Sequence, residues 1–476
     1  VSTHFIMIQD AIKRILSIAL FVVLARLLDQ NTFGHYQQVI LVISFMAMIF
    51  TGGLPIALSF FFGQNNSVEL QRSTFQRFFF FQLIAIVVGA VLYLIFSGFI
   101  SREFKNVYLE RYSIYIILIF VGVVLPDFLR NSSVLFNSMK SYTLITSSIQ
   151  IITVSLTILV AIESKNITYL ILITAISSIV LILSLLWLNK NKIYPLANIY
   201  RKENNTKGQI KYVIAMSATS LVGVVNSYTD QITASILLSP VDYSLLKVGA
   251  FQIPFISIVT GSILTAMIPV VSKLFKQRAL IEIEQLWAHS IEKATILLVP
   301  IVIFCMVFGK EIIVGFFGSN YSASGLIFQI YMFQWLRAVV VFGGVMGAIG
   351  LEKELFKNTV FITILNVMLN IFMISKFGIV GAAITTTAMN YFGGYLLIKK
   401  INNVLPNKFF SYFPVKSYFL ILICSLMLAL IMKTVIPMSG LIAVMTMSAL
   451  YYFVILSLWI KWKGDKLTLS SYKRLL

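Results

Sequence analysis

YVIAMSATSLVGVVNSYTDQITASILL, residues 212–238, decides how the rest of this chain is read. About 20 residues rising 1.5 Å each span roughly 30 Å of hydrocarbon, so the stretch is long and apolar enough to cross a bilayer as a helix. Yet it carries Asp230, with Asn226, Ser227, Thr229 and Gln231 beside it. A carboxylate at bilayer depth costs about 2.5–3.5 kcal/mol on insertion scales, so it needs a partner or a task.

Composition extends that reading to the whole chain. Of 476 residues, 59% are hydrophobic and 11% charged, and the mean hydropathy is +0.93. Soluble domains are about a quarter charged; a water-soluble fold of this composition could not cover itself with polar groups, so the chain is an integral membrane protein. The net charge of +20 sits in short gaps between apolar runs. A nucleic-acid binder would gather it on one folded surface, so no nucleic acid is expected as a partner. Cys305 and Cys424 both lie in apolar runs, giving neither a disulfide framework nor a metal pattern. His4, His35 and His289 are far apart in sequence. No small-residue cleavage site follows the first apolar run, so no signal peptide is expected.

Hydropathy predicts an all-α fold of about fourteen spans. They are 6–28, 39–62, 78–100, 114–136, 144–162, 167–188, 212–238, 248–275, 287–308, 327–349, 356–374, 379–398, 418–435 and 441–460. Barrel strands would be half as long and would alternate. With both termini in the cytoplasm, most of the 37 Lys and Arg fall on the inner side, as the positive-inside rule requires. Membrane lipid is the other expected partner of these basic loops. The most basic loop lies within 191–211 and reads as a linker between an N-terminal lobe, 1–190, and a C-terminal lobe, 212–400, with two more helices and a tail over 401–476. A weak repeat agrees: Gly34, Pro55 and Lys140 recur as Gly249, Pro269 and Lys353, with spacings matching within two residues. Six spans return the chain to its starting side, so the axis relating two such lobes would lie along the membrane normal.

Several blocks carry a resemblance. ARLLDQNTFGHYQQVILV (25–42), TDQITASILL with VGAFQIPF (229–238 and 248–255), IPVVSKLF (268–275), FGKEIIVGFFGSNYSASGLIFQI (308–330) and LNVMLNIFMISKFGIVGAAITTT (365–387) resemble the polysaccharide-transport family. These are the Wzx-type O-antigen and exopolysaccharide flippases of the multidrug/oligosaccharidyl-lipid/polysaccharide (MOP) exporter superfamily, and the resemblance covers about 6–400. It implies two pseudo-symmetric six-helix lobes around a central cavity, with two C-terminal helices added. It implies a transporter and not an enzyme, with no cofactor beyond a coupling H+ or Na+. The implied substrate is an undecaprenyl-pyrophosphate-linked oligosaccharide, flipped to the outer leaflet of the bacterial cytoplasmic membrane by alternating access. The polysaccharide polymerase machinery is an implied partner.

Such a substrate keeps its tail in lipid while sugars and pyrophosphate cross hydrocarbon, so buried cations are the feature to seek. Arg337, deep in the 327–349 span, is the first candidate, its planar fork of donors suiting phosphate. Arg130 in the fourth span follows, three residues from Asp127 on one helix face, so that the two can pair with each other. Arg26 and Lys247 sit near outer span ends and Lys13 and Arg14 at the inner end of the first span, where plain anchoring competes with substrate contact. Asp230 and Asp127 are the candidates for coupling or gating, against a structural ion pair. His289, Glu292 and Lys293 open the ninth span as interfacial groups. A drug exporter of the same superfamily, a lipid II flippase, or a membrane glycosyltransferase or polymerase are the rivals. The drug exporter would favour buried acids, and the last two would carry large outer loops that this chain lacks.

Overall fold

The computed structural model describes residues 2–64, 67–193 and 206–435, with scattered positions between 446 and 457. All the described elements are helical. In hydrocarbon each backbone amide must be satisfied within its own segment or a closed barrel, and long apolar runs without alternation leave only the helix. The first elements are α1 (Ser2–Leu27), α2 (Gln30–Thr51), α3 (Leu54–Gln64), α4 (Val68–Glu103), a one-turn α5 (Tyr108–Arg111), α6 (Ser113–Leu135), α7 (Met139–Ser164), α8 (Ile167–Ile193) and α9 (Thr206–Leu237). There follow α10 (Pro240–Gly249), α11 (Pro254–Lys276), α12 (Leu280–Val307), α13 (Gly309–Phe317), α14 (Ser324–Trp335) and α15 (Phe342–Ala348). The last are α16 (Glu352–Ile401), a short α17 (Phe409–Tyr412) and α18 (Val415–Val435). The chain divides into two compact units, Val1–Ser244 and Leu245–Leu476, with the division inside α10.

Among the described residues, 11 segments are long and apolar enough to cross a membrane. The chain is therefore a multi-pass, all-α membrane protein. α1 is not one of the 11; Asp10, Lys13, Arg14 and Arg26 interrupt its apolar run. The 356–374 and 379–398 spans lie in the single α16, whose 50 residues hold one non-helical position, Gly378 at φ 56°, ψ −138°. A side chain there would be strained, so glycine sets the place of the kink. The 39–62 span is split at Gly52–Gly53 into α2 and α3. Pro254 starts α11, where its missing N–H costs nothing. Much of the 441–460 span and most of the 191–211 linker lie outside the described residues.

In the first unit α1 packs on α7, α6 on α2 and α8, and α9 on α2 and α3. The α9 contact is close at Gly53. A Cβ there would sit 2.4 Å from the Met216 side chain, and the Gly53 N–H donates to Ser217 Oγ at 3.1 Å. Tyr212 stacks on Phe60 and Tyr228 meets Phe45 edge-on, so aromatic contacts hold α9 at both ends. In the second unit α12 packs on α18, α11 and α14, and α14 on α16. Gly344, in the glycine-rich 343–350 run, lets α15 approach Leu264 of α11. Glu284 of α12 is buried; it accepts from both the backbone N–H and the side-chain amide of Asn407 at 2.8 Å each. That pins the 402–408 turn to the bundle.

Candidate functional site

Charged groups in the first unit gather where α1 meets α6. Arg130 Nη2 lies 2.8 Å from Asp10 Oδ2, and Lys13 Nζ lies 3.7 Å from Asp127 Oδ1. The i,i+3 spacing on α6 suggested that Asp127 and Arg130 would pair with each other; each instead pairs across to α1. Helical neighbours compete with a facing helix, and α1 presents Asp10 and Lys13 three residues apart, in register with the α6 pair. Asp10 was missed in the sequence, although an acid three residues before Lys13 in an apolar run was a visible signal. α7 completes the corner. Tyr142 donates to the Pro126 carbonyl at 2.8 Å, and Gln9 reaches Thr146 Oγ1 at 3.4 Å. The four charged side chains stay 30–55% exposed, so the corner is open on one side. Arg14, one residue beyond Lys13, is also exposed.

Arg26 lies in the last turn of α1, roughly 24 Å along the helix from Asp10. Lys247 lies in the last turn of α10. Asp230 is half-buried on α9 and accepts from the Gln231 N–H at 3.1 Å. Three hydroxyls near it are satisfied along their own helix. Ser227 donates to the Gly223 carbonyl, Thr229 to Val225 and Thr233 to Thr229. Back-bonded hydroxyls of this kind are content in an apolar setting, so by themselves they do not mark a wet surface. On α12, Glu292 accepts from Ser417 Oγ at 2.7 Å, with His289 Nδ1 4.0 Å away.

Arg337 stands in a broken span. α14 stops at Trp335, a 3-10 turn runs over Leu336–Val340, and Val341 takes the left-handed conformation, φ 50°, ψ 50°, before α15 starts. A β-branched residue in that region is a true outlier, held only where its surroundings over-determine it. The surroundings do so through side chains that answer the carbonyls around the break. Thr387 donates to Ile330 at 3.1 Å, Tyr391 to Phe333 at 2.8 Å, Tyr418 to Leu336 at 3.3 Å and Trp287 to Val340 at 2.7 Å. Irregular backbone at membrane depth survives when neighbours re-satisfy it in this way. The sequence showed an unbroken span here and gave no local signal of the break, because the donors that answer it are dispersed over three other helices.

The break aims the arginine. Its Nη2 reaches Asn390 Oδ1 at 3.4 Å, and Asn390 Nδ2 in turn donates to Gln334 Oε1 at 2.8 Å. The guanidinium lies 5.6 Å from the Phe342 ring centroid, and that ring meets Trp287 edge-on. A Cβ on Gly394 would come within 2.9 Å of Arg337 Cδ, so the glycine leaves room for the side chain. Its Nε is buried without a hydrogen-bond partner, and among the described residues Arg337 makes no ion pair. A single cation held by a weak amide contact and an aromatic face keeps most of its donors for an anionic ligand. No group of three or more His, Cys, Asp or Glu that could hold a metal occurs among the described residues.

Comparisons with known proteins bear on the family and the fold. The sequence profile of a family described as "Polysaccharide biosynthesis protein" matches residues 2–275. A probable low-salt glycan biosynthesis flippase of Haloferax volcanii is 24% identical over 184 residues, 38% of this chain and 39% of the relative, so the match spans well under two thirds of that protein. The fold is that of a lipid II flippase, MurJ, solved in an inward closed conformation. That match has a TM-score of 0.76 and 16% identity, and covers 96% of this chain and 98% of the other. An inward-facing multidrug resistance transporter of the MATE family, in the MOP superfamily, matches with a TM-score of 0.59 and 14% identity over 82% and 94% of the two chains.

Proposed function

The chain belongs to the polysaccharide biosynthesis protein family, and on that premise we propose that it flips an undecaprenyl-pyrophosphate-linked oligosaccharide, an O-antigen or exopolysaccharide precursor, from the inner to the outer leaflet of a bacterial cytoplasmic membrane. The protein is a Wzx-type, MOP-superfamily flippase-like transporter, related to lipid-linked glycan flippases and MATE transporters. The observation that carries the finer reading is Arg337, a cation at a break in a membrane span with its donors largely unspent. Broken spans are where transporters of other folds place their substrate sites.

In this reading Arg337 grips the pyrophosphate, and Gln334 and Asn390 set the guanidinium plane. Arg14, Arg26 and Lys247 are secondary cations along the route and Asp230 gates or couples transport to H+ or Na+, while Arg130 and Asp127 are spent on Asp10 and Lys13 in the α1–α6 corner. Fourteen spans in two six-helix lobes, 1–190 and 212–400, joined by the 191–211 linker and followed by two helices over 401–476, with both termini inside, belong to the same proposal. So do alternating access and the polymerase machinery as a partner. A drug exporter of the same superfamily would carry organic cations and need acids free to meet them. Asp10 and Asp127 are already paired with Arg130 and Lys13, which favours the anionic substrate.

The test is complementation of a strain lacking its own O-antigen flippase but holding this chain's native polysaccharide genes. Surface polysaccharide restored by wild type and lost with Arg337→Gln, at equal membrane abundance, is the expected result. Wild type that restores nothing in its native background overturns the proposal.

A further inference from the structure

The first unit contains an apolar slot that no charge argument accounts for. It has a volume of about 540 Å³, within the roughly 300–1,000 Å³ of ligand pockets. Met46 and Phe50 of α2, Leu92, Phe96 and Phe104 on the α4 side, and Ile232 of α9 are among the side chains that line it. Tyr93 also borders it, but its hydroxyl donates to the Leu109 carbonyl at 2.6 Å, so the wall stays apolar.

The slot is not slack packing. α2 and α4 are tied on either side of it: Gln82 donates to the Phe50 carbonyl at 3.0 Å, and Gln38 to the Phe104 carbonyl at 3.1 Å. Asn106 locks the second tie by donating to Gln38 Oε1 at 3.0 Å. Two helices fastened at both ends of a gap cannot collapse to fill it. In a membrane-spanning segment the gap takes hydrocarbon, because an apolar wall offers water no hydrogen bonds.

We infer that the slot between α2, α4 and α9 holds part of the isoprenoid tail of the transported lipid, an assignment that rests on the lipid-linked glycan reading above. Flat double bonds and methyl branches suit the Phe50, Phe96 and Phe104 faces better than a straight acyl chain does. Charge at the Phe104 end agrees: over 102–111 Arg102, Lys105 and Arg111 outnumber Glu103 and Glu110, and Arg102 and Lys105 are exposed on either side of buried Phe104. A diphosphate attached to a chain in the slot would meet net positive charge there.

The probe is undecaprenyl diphosphate, added to the full chain in detergent and followed by native mass spectrometry, with phosphatidylglycerol as the acyl-chain comparison. Leu92 of α4 and Ile49 of α2 both line the slot, so Leu92→Trp and Ile49→Trp fill it from opposite walls, and Leu159→Trp, on an exposed face of α7, controls for bulk; thermal unfolding checks folding. The expected result is about tenfold less retained undecaprenyl diphosphate in both slot variants, with phosphatidylglycerol and Leu159→Trp unchanged. Equal loss of phosphatidylglycerol would assign the slot to bilayer lipid and overturn the inference. Loss with Arg337→Gln but not with either slot variant would overturn the slot and leave the flippase reading intact. Wild type that retains no undecaprenyl diphosphate would overturn both.

Discussion

In the α1–α6 corner of the first unit, two cations and two carboxylates answer one another: Arg130 with Asp10 and Lys13 with Asp127. At the α14–α15 break of the second unit, one arginine answers only an amide oxygen and a ring among the described residues. Arg130 and Arg337 lie in segments long and apolar enough to cross a membrane, and both read from sequence as ionisable residues out of place. The difference lies in what desolvation has been offset by. In the corner the offset is internal, so the charges can serve folding alone; at the break it is incomplete, so the arginine still has attraction to give a ligand.

The comparison breaks most sharply if Arg337 proves structural. Arg337→Gln is expected to cut transport by roughly 10–100-fold at unchanged abundance, on the scale of ~1.5–3 kcal/mol for a charged hydrogen bond. Arg337→Lys should recover only part, because an ammonium lacks the fork. The check is surface polysaccharide in the complemented strain. A next step moves the arginine without removing it. Gly394→Val should crowd Arg337 Cδ and lower transport several-fold while thermal unfolding of the purified protein shifts little.

Trp287→Phe tests the scaffold of the break. It strands the Val340 carbonyl, a loss of about 1–3 kcal/mol, and should lower the melting temperature together with transport. The corner should behave oppositely to the break. Asp10→Arg and Arg130→Asp should each destabilise by about 1 kcal/mol, and the double swap should restore both stability and transport. Failure of the swap to restore transport, with stability regained, would make Arg130 a ligand contact and erase the contrast.

The smallest effect concerns Asp29, which caps α2 by accepting from the Asn31 and Thr32 N–H groups at 3.0 Å. Burial pushes its carboxyl up, but the Thr32 and Asn31 hydrogen bonds outweigh it and hold the group below the usual carboxylate value. Its stabilisation is therefore present above about pH 4, the unfolded value, and lost as pH falls through the lower folded value. Asp29→Ala should cost about 1 kcal/mol at neutral pH and nothing in strong acid, read from melting curves across pH.

The all-helical, multi-spanning fold was legible because length and hydropathy are local properties. Arg337 was legible as a cation inside an apolar run for the same reason. The break around it was not: LRAVVVF is apolar enough to continue a helix, and what stops it is Tyr391, Tyr418 and Trp287 arriving from other parts of the chain. The Asp10–Arg130 pair was hidden likewise, since sequence spacing shows neighbours on one helix and not those across a helix contact. Asp230 gives the converse case. Its polar neighbours stood out in the sequence, yet Thr229 and Thr233 spend their hydroxyls on their own helix. The slot was invisible, because it depends on two glutamine ties, Gln38 and Gln82, that sequence alone cannot orient.

The central claim is that Arg337 binds the pyrophosphate of a lipid-linked glycan while it crosses the membrane. Proteoliposomes holding an undecaprenyl-pyrophosphate-linked oligosaccharide with a fluorophore on its sugar test this most directly, using a membrane-impermeant quencher. The account predicts that wild type lets the quencher reach label beyond the outer-leaflet fraction, and that Arg337→Gln vesicles stop at that fraction. Quenching in wild type no greater than in protein-free vesicles, or equal in wild type and Arg337→Gln, would contradict it.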